Sequence, residues 1–150
     1  MSDLPKALAT LAVQADWDVT ECGARLQRLE QELARAQAAA ESERQHAGAL
    51  REELGKCFER GRAFNPERVR LVRAQLEASR QRGVALADEL AALGRQLETE
   101  RAELATARHR AEQLKRSAEK ERLELGRQHA NRELATIDEL WVLRPQGSVA

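Results

Sequence analysis

The stretch GRAFNPERVRLV, residues Gly61 to Val72, decides how this chain folds. It holds Pro66, the one proline away from the chain ends, between two long tracts rich in Ala, Leu, Glu, Arg and Gln. Gly61 can take the left-handed conformation that closes a helix. Asn65 is a good N-cap, because its side chain accepts hydrogen bonds from the free amides of the next turn. Pro66 then falls at the first helical position, where its missing N–H costs nothing. Phe64 precedes the cap and Val69 follows it at the spacing of a hydrophobic staple. These signals predict that one helix stops near Arg60 and a second starts near Pro66. A connection this short favours antiparallel neighbours, so the chain turns back on itself as a helical hairpin.

The tracts on either side carry the seam of that hairpin. In the first, Leu8, Leu11, Ala15, Val19, Cys22, Leu26, Leu29, Leu33, Ala36, Ala40, Ala47, Leu50, Leu54 and Cys57 recur at spacings of three and four, with Glu43 in the one missing slot. Two successive spacings of four around Ala15 predict a stutter. In the second, Val69, Val72, Leu76, Ser79, Gly83, Leu86, Leu90, Leu93 and Leu97 continue through Glu100 to Leu104, Ala107, Ala111, Leu114 and Ala118. Sustained heptads of this kind read as coiled coil. Ala130, Leu134, Ile137 and Trp141 then form a stripe offset from the seam.

With the bend near residue 63, residue i faces roughly residue 125 − i. Leu33 then lies opposite Leu93, Leu50 near Leu76, and Glu43 beside Arg82, Ser79, His46 and Gly83. Asp16 and Asp18 meet Arg108 and Arg110. The expected fold is therefore all-α, a long two-helix antiparallel coiled-coil hairpin forming one domain over residues 1–150. Helix one covers about 4–60, the turn 61–65, helix two about 66–143, and a short tail 144–150. Helix two would be roughly 115 Å long at about 1.5 Å per residue, and its last turns overhang helix one.

Composition bounds the function. Charged residues make up 33% of the chain and aromatics 3%, a profile of long helices rather than a packed globule. There are 25 basic and 25 acidic residues, so the basic excess of a general polyanion binder is missing. The charge is uneven: residues 60–82 hold seven Arg against two Glu. No apolar run approaches the roughly 20 residues of a spanning helix, and the N-terminus lacks a signal-peptide pattern. Cys22 and Cys57 both fall on the seam and read as buried free thiols, which suits the cytoplasm. HExxH is absent, the Gly-Lys pair of GKCFERGR lacks a Walker A pattern, and no cysteine pair has zinc spacing. His46, His109 and His129 do not share a helical face. The expectation is a binding protein rather than an enzyme, with no catalytic, cofactor or metal residues.

Three stretches resemble one family. ALATLAVQADWDVTECGARLQRLEQEL (residues 7–33) resembles the N-terminal segment of the flagellar export protein FliJ. GRAFNPERVRLVRAQLE (residues 61–77) resembles that family's interhelical turn. RELATIDELWVLR (residues 132–144) resembles its C-terminal end. The Trp of DELWVLR and the Arg/Ala-rich composition lean toward the related SctO (YscO-type) stalk proteins of type III secretion. The resemblance implies a central stalk, like the gamma subunit of rotary ATP synthases. Such a stalk enters the pore of a hexameric export ATPase and links it to the export gate protein. It also implies escort of substrate chaperones, with a bacterial cytoplasmic location peripheral to the inner-membrane export apparatus and no membrane insertion. Carried onto this chain, the end bearing both termini contacts the ATPase, through Leu8, Leu11, Trp17, Leu134, Ile137, Leu140, Trp141 and Arg144. Trp17 lies one residue beyond an ideal seam slot. The basic turn and start of helix two, with Arg62, Arg68, Arg70, Arg73 and Arg80, face the gate or a chaperone.

Two alternatives remain on sequence grounds. One is a structural coiled coil that self-associates through the overhanging stripe. The other is a zipper-type DNA binder, since Leu76, Leu90, Leu97 and Leu104 fall on multiples of seven after the basic run ERVRLVRAQLEASRQR. The balanced charge and the seam within the basic run disfavour nucleic acid as a partner.

Overall fold

The structure, a computed structural model, describes residues 3–143. It is all-helical, with α1 spanning Leu4–Lys56 and α2 spanning Pro66–Val142. The helices run 53 and 77 residues and pack against one another as an antiparallel pair. None of the described helices is long and apolar enough to cross a membrane. The chain divides into two compact units, residues 22–103 and the two chain ends, 1–21 with 104–150.

In the unit of residues 22–103 the turn follows its local chemistry. Asn65 Oδ1 accepts from the Glu67 and Arg68 amides at 3.1 and 3.4 Å, which makes it the N-cap of α2. Gly61 has φ of 89°, a conformation open to glycine at little cost. The rings of Phe58 and Phe64 lie 5.8 Å apart across the connection. Helix one, however, ends at Lys56 rather than near Arg60. Beyond it the amides of Phe58 and Glu59 bond back three residues, to Gly55 and Lys56, and the Cys57 amide is shared between Glu53 and Leu54. The last turn tightens in this way because the final carbonyls have no α-helical donor. The connection is therefore Cys57–Asn65, and Gly61 shapes its middle instead of closing the helix.

The seam of this unit matches the heptad spacing at every predicted position. Cys22, Ala36 and Leu50 of α1 are buried, as are Val69, Val72, Ser79, Leu93 and Leu97 of α2. Val72 is the most enclosed, at 1% exposure. The intervening heptad positions are half-buried, as two helices alone allow. Register is fixed by ion pairs between the helices. Arg82 Nε donates to Glu43 at 3.1 Å and Arg25 Nε to Glu100 at 3.3 Å. The residue numbers of each pair add to 125, the register expected from a bend near residue 63. Arg68 also donates to Glu53 close to the turn.

In the unit of the chain ends, Ala12 and Ala15 of α1 pack with Leu104 and Ala111 of α2 as buried positions. Leu8, Val19, Ala107, Leu114 and Ala118 are half-buried around them. Leu11 does not join the seam; it is 40% exposed. Buried positions thus follow Leu8, Ala12, Ala15 and Val19, spaced four, three and four, and the expected stutter is absent. The heptad phase outweighs side-chain size here: Ala12 is on the seam and the larger Leu11 beside it is not. Asp16 pairs with Lys115 at 3.2 Å instead of with Arg108. The two basic residues hold the same heptad position one repeat apart, so the seam pattern alone did not separate them. Glu121 is the last α2 residue that is even partly covered, and every residue from 122 to 143 is exposed.

Candidate interaction surfaces

The exposed end of α2 carries the strongest apolar surface. Leu123, Leu134, Ile137, Leu140, Trp141, Val142 and Leu143 are all largely exposed, Leu134 at 59%. On α2 the seam runs through Leu104, Ala111 and Ala118 at heptad position a, with Ala107, Leu114 and Glu121 at d. Leu123, Ala130 and Ile137 then fall at f, and Arg127, Leu134 and Trp141 at c, so the apolar run begins at Ala130. The stripe therefore repeats with the same three-four spacing on nearly the opposite side of the helix, about 150° around it. It has its own flanks. Glu133 and Asp138 border it, and no Lys or Arg occupies a bordering position.

The other termini-end candidates divide. Leu8 is half-buried in the seam and so is structural. Trp17 is 67% exposed, midway between the seam residues Ala15 and Val19 on the outward side of α1. Leu11 is exposed as well, but on a different face. Arg144 lies outside the described residues. Leu134, Ile137 and Trp141 form one face, with Leu140 at its edge.

The five arginines expected to form one basic tip are split. Arg68 reaches Glu53, Arg62 lies 3.7 Å from Glu59, and Arg80 makes a two-pronged contact with Glu77 at 2.7 and 3.0 Å. Arg70 and Arg73 are exposed. Arg68 sits on one flank of the seam. Arg73 and Arg80, both at heptad position e, sit on the other. There they meet two residues that sequence reasoning passed over, Arg44 and Arg51, at position e of α1. Arg44, Arg51 and Arg80 line one groove of about 360 Å³, whose floor includes Ala40, Ala47, Leu76, Gly83, Ala87 and Leu90. The register that pairs Glu43 with Arg82 places Arg44 beside Arg80 and Arg51 beside Arg73. The signal was present in the heptad: e positions face each other across an antiparallel seam.

Two polar clusters interrupt the seam. In the first, Glu43 occupies a seam slot opposite Ser79. The adjacent Ser79 hydroxyl is the main influence holding the Glu43 carboxyl below its ordinary range, partly opposed by desolvation and reinforced by Arg82 and His46. A polar layer of this kind fixes register at some cost in stability. In the second, Cys22, Glu100 and Glu103 bring their ligand-type atoms within 4.8 Å of one another. Arg25 stands among them. Its guanidinium donates to Glu100 at 3.3 Å and to Cys22 Sγ at 3.2 Å, and lies 3.9 Å from Glu103. Its pKa is raised, chiefly by the Glu100 hydrogen bond. Arg25 already supplies the positive charge that a cation would bring, so the cluster reads as an ionic lock.

No family model matches the chain, and neither a curated protein nor a solved structure matches it.

Proposed function

We propose that this protein is a coupling stalk of a bacterial type III export apparatus, of the flagellar or the virulence type. On this reading its termini-bearing end enters the hexameric export ATPase and its turn end serves the export gate protein or substrate chaperones. It works in the cytoplasm, peripheral to the inner membrane. One observation carries the proposal: α2 continues past its last covered residue, Glu121, with an ordered apolar stripe through Leu134, Ile137 and Trp141. Apolar surface of this kind on a helix end marks a site for a partner. Trp17 and Trp141 are the side chains best suited to anchor such a contact, since exposed Trp is favoured at binding hot spots. The resemblance of the N-terminal, turn and C-terminal stretches to FliJ-like proteins supplies the identity of the partner.

The test is ATP hydrolysis by the export ATPase of the same organism, with this protein added at about one per hexamer. A rise in rate that is lost in a Leu140→Ala/Trp141→Ala variant supports the stalk. No change in rate and no co-elution with the ATPase would remove it. The zipper reading needs one helix running through Gly61–Asn65, where the structure has a capped break. Leu76, Leu90, Leu97 and Leu104 are occupied in the seam within the chain.

A further inference from the structure

We propose that the arginine-lined groove of residues 40–51 and 76–90 is a docking site for the acid-flanked stripe of a second copy of this chain, residues 130–142.

The groove is unusual for a two-helix coiled coil. Facing e positions are normally filled with opposite charges, which hold the pair in register. Here Arg44 faces Arg80 and Arg51 faces Arg73. Arg44 and Arg80 have local acids, Glu41 at 2.9 Å and Glu77 at 2.7 Å, each on its own helix. Arg51 and Arg73 have no ion-pair partner among the described residues. Between the rows the floor is mostly apolar, interrupted by Glu43 and Ser79, and it is low at Ala40, Ala47, Gly83 and Ala87, where a helix can lie close. At Gly83 an added Cβ would meet nothing within 4 Å, so the floor is open there. A third helix with acids along both borders would sit on that floor and place carboxylates between the arginine rows.

The chain itself supplies such a helix. Its exposed stripe is apolar through Ala130, Leu134, Ile137 and Trp141, and its borders carry Glu133 on one side and Asp138 on the other. Lengths agree as well: Ala40 to Arg51 and Ala130 to Trp141 each span roughly 16 Å of helix. On this proposal the stripe that fills the groove comes from another molecule. The contact joins two different surfaces, so it either closes reciprocally between two copies about a two-fold axis or runs on from copy to copy. It does not depend on an ATPase partner, and it covers the stripe when no other protein holds it.

The test is the mass of the full-length protein in solution, by light scattering and sedimentation, across a range of concentration and salt. The expected result is a mass of two copies or more that rises with concentration and falls with added salt. Two charge-reversed variants separate the surfaces, Arg44→Glu/Arg51→Glu in the groove and Glu133→Arg/Asp138→Arg beside the stripe. All four positions are exposed, so helix content should be unchanged by circular dichroism. Each variant alone should associate about tenfold more weakly. An equimolar mixture of the two should regain association, because each groove then has a stripe of opposite charge. Monomers at every concentration would overturn the proposal. So would a mass that stops at two copies and ignores the groove reversal, which would mean stripe packed on stripe.

Discussion

Replacing Leu97 and Leu134 by alanine, one at a time, separates the seam from the exposed end of α2. Both are leucines within α2, so the change in intrinsic helix propensity is the same and small. Their surroundings differ: Leu97 is 3% exposed and Leu134 is 59% exposed. Leu→Ala removes three carbons, and nearly all of their area at Leu97 is withdrawn from water on folding. At about 0.8 kcal/mol per buried carbon group the transfer loss is about 2.4 kcal/mol. A cavity contribution adds little, because a two-helix seam is open at its edges and water or a neighbouring side chain can enter. The expected loss is therefore about 2–3 kcal/mol for Leu97→Ala, at the low end of the range for buried leucines. Leu134→Ala should change stability by less than about 0.5 kcal/mol. Urea unfolding followed by circular dichroism at 222 nm measures both, at a protein concentration low enough to keep the chain monomeric. Equal losses at the two positions would refute the reasoning, since they would show Leu134 to be covered within the single chain.

The turn and the polar layer give three further expectations. Asn65→Ala removes the acceptor for the Glu67 and Arg68 amides and should cost about 1 kcal/mol in the same urea assay; an unchanged midpoint would mean the cap contributes nothing. Gly61→Ala should destabilise by about 1 kcal/mol because of its positive φ, whereas Gly126→Ala, in an exposed helical turn with open space at the new methyl, should stabilise by a similar amount; the same sign at both sites would contradict the backbone assignment. The Glu43 carboxyl is depressed in the folded state, so its contribution is present above the ordinary carboxylate value of 4.5 and is lost as pH falls through the lower folded value. Glu43→Gln should therefore flatten part of the acid limb of a stability–pH curve, and an unaltered curve would show that Glu43 is not coupled to folding.

The heptad pattern carried almost all of the fold because it reports a physical constraint directly. A seam residue must return to the same side of the helix every three or four positions, and the polar Glu43, Ser79 and Glu100 could be placed on it by phase alone. Leu11 shows where the reading failed. Leu11 on the seam implies an irregular spacing around Ala15, and the structure has Ala12 in that slot with regular spacing. Phase was the better guide than hydrophobicity, because two helices in contact leave room for alanine at the closest approach. The helix end at Lys56 was misplaced for a different reason. Gly61 is a good signal for left-handed backbone, but a glycine in a nine-residue connection takes that conformation without being the residue that closes the helix.

Surface patterning was legible only where one helix carries the whole pattern. The stripe of Leu134, Ile137 and Trp141 could be seen from spacing within α2. The arginine groove could not be seen by scanning along the chain, because Arg44 and Arg51 lie far in sequence from Arg73 and Arg80. A local count instead gathers Arg62, Arg68, Arg70, Arg73 and Arg80 into one tip, although Arg68 belongs to the Glu53 flank and Arg73 and Arg80 to the other. Charge along a folded-back chain acquires meaning only after the register is known. Once Glu43 is set against Arg82, the e positions fall opposite one another and the like charges become a feature that needs a partner. The two ends of the chain's chemistry then fit one argument. A groove whose Arg51 has no acid of its own, and an exposed helix with Glu133 and Asp138 beside an uncovered apolar stripe, are each incomplete within a single copy, and the charge-reversal mixture tests whether each completes the other.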